Sequence, residues 1–195
     1  MMKYSLNETI KLICYLLYTK AVVPHARLIR YPIDIRGKRC IEFGRNFTAG
    51  YHCRLDVAYP QNTKKIYIGK NVQINDFVHI VAAKSVVIGD NVLIASKVFI
   101  SDVLHGSYKG NEFDSDPLIP PIKRFLSALP VFIAENVWIG EFVSVLPGVK
   151  IGKSSIIGSN SVVTKNIPDF SIAVGNPARV IKKYNFNTKR WETIS

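Results

Sequence analysis

The sequence predicts an all-β protein built as a parallel β-solenoid, and three observations predict it. First, aliphatic residues recur six positions apart: Ile68, Ile74 and Ile80, then Ile88, Ile94 and Ile100, then Ile133, Ile139, Val145, Ile151, Ile157 and Val163. Second, most of these have a partner two positions earlier: Val72, Val78, Val92, Val98, Val137, Val143, Val149, Ser155 and Ser161. That spacing puts both side chains on one face of a short strand. Third, corner chemistry follows each strand, with Gly at Gly69, Gly89, Gly140, Gly152 and Gly158 and Asn at Asn71, Asn91, Asn136 and Asn160. These residue types tolerate tight or left-handed turns. The intervening residues are too few for a crossover helix, so three strands and three corners close one coil and the coils stack around an aliphatic interior. A two-residue excess between Ile80 and Ile88 reads as a bulge at one corner. Sandwich strands recur at about 8–12 residues and alternate across a wet face, which does not fit hexads in phase.

The rhythm stops at "SDVLHGSYKG" and resumes at "VFIAENVWIG". The expected organisation is a helical, basic segment over 1–34, the solenoid over 35–182 with an insertion at 106–131, and a tail over 183–195. In the first segment, "LNETIKLICYLLYTKAVV" reads as a helix broken by Pro24, with Asn7 as its cap and Glu8 in its first turn. Its Ile10, Ile13, Leu16 and Leu17 form an apolar face. Such a helix can close the open end of a solenoid. It can also lie on anionic lipid, with Lys11, Lys20, Arg27 and Arg30 as the cations.

The 195 residues fit one domain. The net charge of +12 favours an anionic partner, whether nucleic acid, a membrane surface or a phosphorylated small molecule. Lys3, Lys11, Lys20, Arg27, Arg30, Arg36, Lys38 and Arg39 face only Glu8 and Asp34 in the first forty residues, so half of that charge lies there. The repeat itself lacks the aromatic-basic interleaving of RNA-binding modules, which argues against nucleic acid. Cys14, Cys40 and Cys53 are odd in number and form no CxxC, supporting neither a disulfide framework nor a zinc knuckle. The expected setting is reducing and cytoplasmic. "LICYLLY" has no cleavage site of the secretory kind behind it, and no apolar stretch approaches the roughly 20 residues of a membrane span.

Three strings are more specific: "IGDNVLIASKVFISD" with a histidine close behind, "NVWIGEFVSVLPGVKIG", and "VVTKNIPDFSIAVGNPARVIKK". Over roughly residues 40–183 the chain resembles the hexapeptide-repeat acyltransferases, nearest the branch of galactoside, maltose and polysaccharide O-acetyltransferases. The resemblance implies a left-handed parallel β-helix, an exception to the right-handed crossover rule. It also implies an acetyl-CoA donor, direct transfer without a covalent intermediate, no metal, and a homotrimer whose active sites are shared between neighbours. Relatives that acetylate surface polysaccharides carry Asp-His-x-His-Gly where this chain has Asp102-Val103-Leu104-His105-Gly106. The first histidine is missing and the second, whose counterpart is the base, stands.

Transfer to a hydroxyl needs a group that takes its proton, and imidazole, with an ordinary pKa of about 6.5, suits that near neutrality. His105 is therefore the expected general base. Its orienting partner is open between Asp102, a loop carboxylate and a backbone carbonyl. The insertion, stiffened by Pro117, Pro120, Pro121 and Pro130, can wall the acceptor site, with Tyr108, Asp114, Asp116, Lys123 and Arg124 as polar contacts. Asp102, Tyr108 and Trp138 are the expected acceptor-side residues, though Trp138 can equally flank the coenzyme channel or pack between subunits. By the resemblance, Gly140, Glu141 and Ser159 line the pantetheine arm, and Thr164, Lys165, Arg179 and Lys182 lie near the coenzyme phosphates, where cations have an obvious partner. The function implied is O-acetylation of a sugar in surface polysaccharide or lipopolysaccharide; the setting is the cytoplasm, and the inner face of the membrane stays open with the lipid reading of the N-terminal helix. N-acetylation of an amino sugar is a sister reading. Two other classes fit less well. A zinc hydratase on this fold needs three histidines, and His25, His52, His79 and His105 contain no His-x4-His. A non-catalytic scaffold would have no need of the base or the coenzyme residues.

Overall fold

Strands two to four residues long cannot stand alone, so each is stabilised by the strands directly above and below it. The computed structural model describes residues 5–60 and 62–194; Lys3, counted among the N-terminal cations, lies outside them. Three parallel sheets form the walls of a prism. The first face stacks Leu28–Ile29, Thr48–Ala49, Gln73–Ile74, Leu93–Ile94, Trp138–Ile139, Ile156–Ile157 and Ser171–Val174. The second stacks Asp34–Arg36, Arg54–Val57, His79–Ala82, Phe99–Ser101, Ser144–Val145 and Val162–Val163. The third stacks Ile41–Phe43, Ile66–Ile68, Val86–Ile88, Val131–Ile133 and Lys150–Ile151. Residues pair one above another without slippage, as in Gln73↔Leu93↔Trp138↔Ile156 along the first face.

The interior follows the hexads. Every aliphatic residue of the six-residue series is at most 3% exposed, and the residues two positions earlier are at most 2% exposed. Each such side chain contributes about 1.5–3 kcal/mol by leaving water. In the last coils the inward positions are Ser155 and Ser161, and both hydroxyls are used. Ser155 Oγ donates to Pro168 O at 2.7 Å and accepts from Ser171 N, while Ser161 Oγ accepts from Gly175 N at 3.0 Å. A buried hydroxyl without such partners would destabilise the core.

The corners divide the labour between Asn and Gly differently from the expectation. Asn46, Asn71, Asn91 and Asn136 all take left-handed backbone, φ 57–62°. Their side chains form a ladder, each Nδ2 donating to the next Oδ1 at 2.9, 2.9 and 3.2 Å. The glycines two positions before Asn46, Asn71 and Asn91 are there for space. A Cβ on Gly69 would sit 2.6 Å from the carbonyl carbon of Gly89, and one on Gly89 would sit 2.7 Å from the nitrogen of Glu135.

The N-terminal helix, α1, runs Leu6–Val22. Its cap is Ser5 rather than Asn7: Ser5 Oγ accepts from Glu8 N, and the Glu8 carboxylate accepts from Ser5 N at 2.7 Å. This reciprocal box satisfies two donors that a helix end leaves orphaned. Leu12, Tyr15, Tyr18, Thr19 and Val22 turn inward. Thr19 Oγ1 accepts from Ile29 N at 2.7 Å, and the rings of Tyr15 and Tyr18 meet Tyr51 and Tyr31 edge-on. The helix thus covers the end of the prism, while the apolar face read from sequence, Ile10, Ile13, Leu16 and Leu17, points away from it. The solenoid begins at Leu28 rather than at residue 35, because Leu28–Ile29 and Asp34–Arg36 already pair with the coil above. The C-terminal residues are a hairpin, Arg179–Asn185 against Arg190–Thr193, that extends the first face.

The interruption has a rivet. Asp102 is fully buried, its Oδ1 accepting from Ala83 N at 2.7 Å and its Oδ2 from Lys84 N and Ser85 N at 2.8 and 2.6 Å. These three amides lie in the corner that the two-residue excess after Ile80 enlarges. The enlarged corner exposes N–H groups that have no ladder partner, and the carboxylate one coil later collects them. Asp102 O also accepts from Leu129 N, closing the base of the insertion. Charge-assisted hydrogen bonds of this kind contribute about 1.5–3 kcal/mol each. Asp102→Ala is expected to lose at least about 3 kcal/mol, with Asp102→Asn intermediate. Urea unfolding should show a lowered midpoint at unchanged slope.

Candidate active site

His105 lies on a two-stranded hairpin outside the prism, Val103–His105 antiparallel to Leu126–Ala128, opposite Leu126. The hairpin holds the backbone while leaving the imidazole exposed. Gly106 follows with φ 111°, and a Cβ there would fall 2.5 Å from Ser115 Oγ and 2.8 Å from Tyr108 Oη. The chain can reverse there only with glycine, which fixes the direction in which His105 leaves the strand. Gly106 N donates to Phe125 O, and Ser127 Oγ donates to Gly106 O at 2.7 Å.

Of the polar residues expected to meet an acceptor, Tyr108, Asp114, Asp116 and Arg124 are spent on the insertion itself, and Lys123 is exposed. Tyr108, expected to touch an acceptor, donates its hydroxyl to His105 O at 2.5 Å and accepts from Arg124 Nη1 at 2.7 Å. Arg124 also donates to Ile119 O and Pro117 O. Asp114 accepts from the amides of Lys109 and Gly110, and Asp116 from that of Leu118. Tyr108 and Arg124 therefore form a strut that presses on the carbonyl of His105, and only the ring of Tyr108 is left open to solvent. Asp102, expected beside the acceptor or behind the imidazole, is the buried rivet described above and can do neither. Among the described residues no side chain hydrogen-bonds the ring of His105.

Of the residues expected near the coenzyme, five fall at the two edges of the second face and two, Arg179 and Lys182, in the hairpin that extends the first. Gly140 and Glu141 turn the corner into the second face. One coil later Ser159 stands against Gly140, where a Cβ would lie 2.7 Å from Ser159 N, and Asn160 N donates to Glu141 O at 2.8 Å. Bulk at Gly140 would push these coils apart. Thr164 and Lys165, both exposed, turn the opposite corner. Register places them two coils above Ser101 and Asp102, at the edge from which the hairpin of His105 departs. Arg179 begins the final hairpin, held near Val162 by Ala178 N donating to Val162 O. Lys182 lies along that hairpin opposite Ile172. Trp138 is half exposed on the first face between Leu93 and Ile156, two residues before Gly140. In a single chain, then, Thr164 and Lys165 share an edge with the base of the His105 hairpin, while Gly140, Glu141 and Ser159 lie across the face.

Cys53 is no nucleophile. Its Sγ is buried and donates to Asn75 O at 2.9 Å, and burial pushes the thiol up to about 11. Among the described residues no three His, Cys, Asp or Glu side chains converge as metal ligands, and no helix is long and apolar enough to cross a membrane.

Comparison with known proteins gives this geometry a context. The model of the bacterial transferase hexapeptide repeat matches residues 130–165. The chain is 46% identical over 190 residues, 97% of its own length and 95% of the relative's, to WbbJ of Escherichia coli K12, which is assigned to O-acetyl transfer in lipopolysaccharide biosynthesis. It is 41% identical over 130 residues to the galactoside O-acetyltransferase of the same organism, covering 65% of this chain and 58% of that one. Among solved structures it superimposes on the N-acyltransferase AntD of Bacillus cereus, in complex with an amino-deoxy sugar nucleotide and coenzyme A. That match has a TM-score of 0.69 at 23% identity, covering 96% and 94% of the two chains. The prism is the left-handed parallel β-helix. With nearly half its residues shared along almost its whole length, the chain belongs to the hexapeptide-repeat acetyltransferases.

Proposed function

We propose that the acceptor is a sugar hydroxyl of lipopolysaccharide or another surface polysaccharide, and that His105 is the general base. The observation that carries the proposal is the full-length identity to a lipopolysaccharide-biosynthesis relative. The exposed imidazole on a braced hairpin supports the role of His105. A ring nitrogen of His105 takes the proton of the acceptor hydroxyl while the oxygen attacks the thioester carbonyl. The tetrahedral oxyanion then collapses, the carbon–sulfur bond breaks, and the coenzyme thiolate leaves and receives the proton. No bond to the enzyme forms, which agrees with the raised thiol of Cys53. Gly140, Glu141 and Ser159 hold the pantetheine arm, and Thr164, Lys165, Arg179 and Lys182 hold the phosphates. Asp102 and Tyr108 serve as positioning residues, and Trp138 walls the channel. The resemblance to the hexapeptide-repeat acyltransferases supports a homotrimer in which each site is completed by a neighbouring solenoid, working in the cytoplasm.

Thiol release from acetyl-CoA with a panel of neutral sugars, amino sugars and polysaccharide repeat units tests this reading. His105→Ala should lower kcat by at least about 10², the scale of a lost general base. Turnover equal to wild type removes His105 from the mechanism, and a preference for amino groups replaces the ester product with an amide. Lys165→Ala and Arg179→Ala should raise the KM for acetyl-CoA about tenfold with little change in kcat, since lost phosphate contacts weaken binding in ground and transition states alike. Mild alkylation at neutral pH should modify Cys14 and spare Cys53 while leaving turnover intact; loss of activity on modification of Cys53 would reinstate a thiol in the chemistry.

A further inference from the structure

α1 is apolar on both sides. Its inner side is accounted for by the first coil. On its outer side Leu6, Ile10, Ile13 and Leu17 are 77, 50, 52 and 68% exposed, and their i, i+4, i+7, i+11 spacing makes them one stripe along the helix. A contiguous exposed apolar stripe marks an interaction surface, so this one lacks its environment in the isolated chain. Glu8, the one carboxylate of the helix, is turned back onto its own N-terminus by the capping box.

Three features beside the stripe identify that environment. Tyr15, Tyr18 and Tyr31 line a shallow apolar hollow together with Cys14, and Tyr31 is more than half exposed. Rings with a polar tip and an apolar body suit a headgroup boundary. One flank of the helix holds a hollow of about 280 Å³ with Lys11 and Arg30 against Glu8. A second, of about 520 Å³, lies at the C-terminal end of the helix, where Val22 to His25 meet Lys38, Arg39 and Lys64 against Glu42. Lys20, a candidate from sequence, is folded onto Pro24 O and Ala26 O and is unsuited to a lipid contact. An apolar stripe on a helix flanked by tyrosines, with Lys11 and Arg30 along it and Lys38 and Arg39 at its C-terminal end, is complementary to an anionic bilayer surface.

We infer that α1 binds the surface of membranes rich in anionic phospholipid, inserting Leu6, Ile10, Ile13 and Leu17 among the acyl chains while Lys11, Arg30, Lys38 and Arg39 meet the headgroup phosphates. The inference stands apart from the identity of the acceptor, since vesicle binding is read without any sugar.

The test uses the full-length protein with vesicles of phosphatidylglycerol and phosphatidylcholine, and with phosphatidylcholine alone. Cys14 is exposed, whereas Cys40 and Cys53 are buried, so a polarity-sensitive dye can be placed on Cys14 selectively. The dye should shift to the blue, and unlabelled protein should co-sediment, with the anionic vesicles and at least tenfold less with the neutral ones. The double variant I13E/L17E should reduce anionic-vesicle binding tenfold or more with thiol release unchanged. The double variant K38E/R39E, away from the helix fold, should weaken binding to anionic vesicles and unfold at the wild-type temperature. Failure of the wild type to associate overturns the inference, as does undiminished binding by both variants. Wild type that ignores vesicles but loses oligomeric mass in I13E/L17E would make the stripe a contact between copies of the chain, which also overturns it.

Discussion

The hydrogen-bonded ladder between coils fixes their separation at about 4.8 Å, the spacing of strands in any sheet. Almost every other feature follows from that distance. It leaves no room for a Cβ at Gly69, Gly89 or Gly140, whose neighbours one coil up approach to less than 3 Å. It is short enough for the amide of Asn46 to reach Asn71, and so on up the edge. It also demands that each inward position be filled by a side chain no wider than its place in the stack, which is why the interior is written almost wholly in Ile and Val. The sequence is repetitive because the constraint is.

The active site is a departure from this regularity that the regularity makes possible. A rigid stack supplies fixed edges, and the chain can leave one edge, build a hairpin and return without disturbing the coils on either side. Asp102 makes the exit firm by gathering three amides from the enlarged corner below, and the Tyr108–Arg124 strut makes the hairpin firm by bracing the carbonyl of His105. Polar groups in such an insertion have two possible employers, the ligand and the loop. Here the corner below has taken Asp102 and the loop has taken Asp114, Asp116 and the hydroxyl of Tyr108, leaving the imidazole of His105 facing outward.

How much of this was legible in the residues depended on whether the information was periodic. The hexads told which side chains enter the prism, and every one of them does. The interruption was visible for the same reason. Local chemistry was harder. Asn7 and Ser5 are both good caps, and only the i, i+3 relation of Ser5 to Glu8 tells them apart. Asp102 beside a histidine reads as catalytic, because its real partners, Ala83 to Ser85, are brought to it by stacking and are remote in sequence. The two-residue excess after Ile80 was the one mark they left. The orientation of α1 was illegible on principle, since a helix apolar on both sides does not declare which side turns inward.

The register across the insertion also bears on how the chain finds its shape. Leu93 pairs with Gln73, 20 positions back, but with Trp138, 45 positions on. Loop-closure entropy grows only with the logarithm of length, so the longer closure adds about 0.7 kcal/mol to a step that every coil must take. A solenoid can therefore carry a two-dozen-residue excursion for less than the stability of one buried isoleucine. The contacts on either side remain short in sequence, which lets coils form from neighbours already in place. New chemistry is entropically cheap on such a scaffold, and the steeper demand is the rivet that keeps the excursion in one conformation.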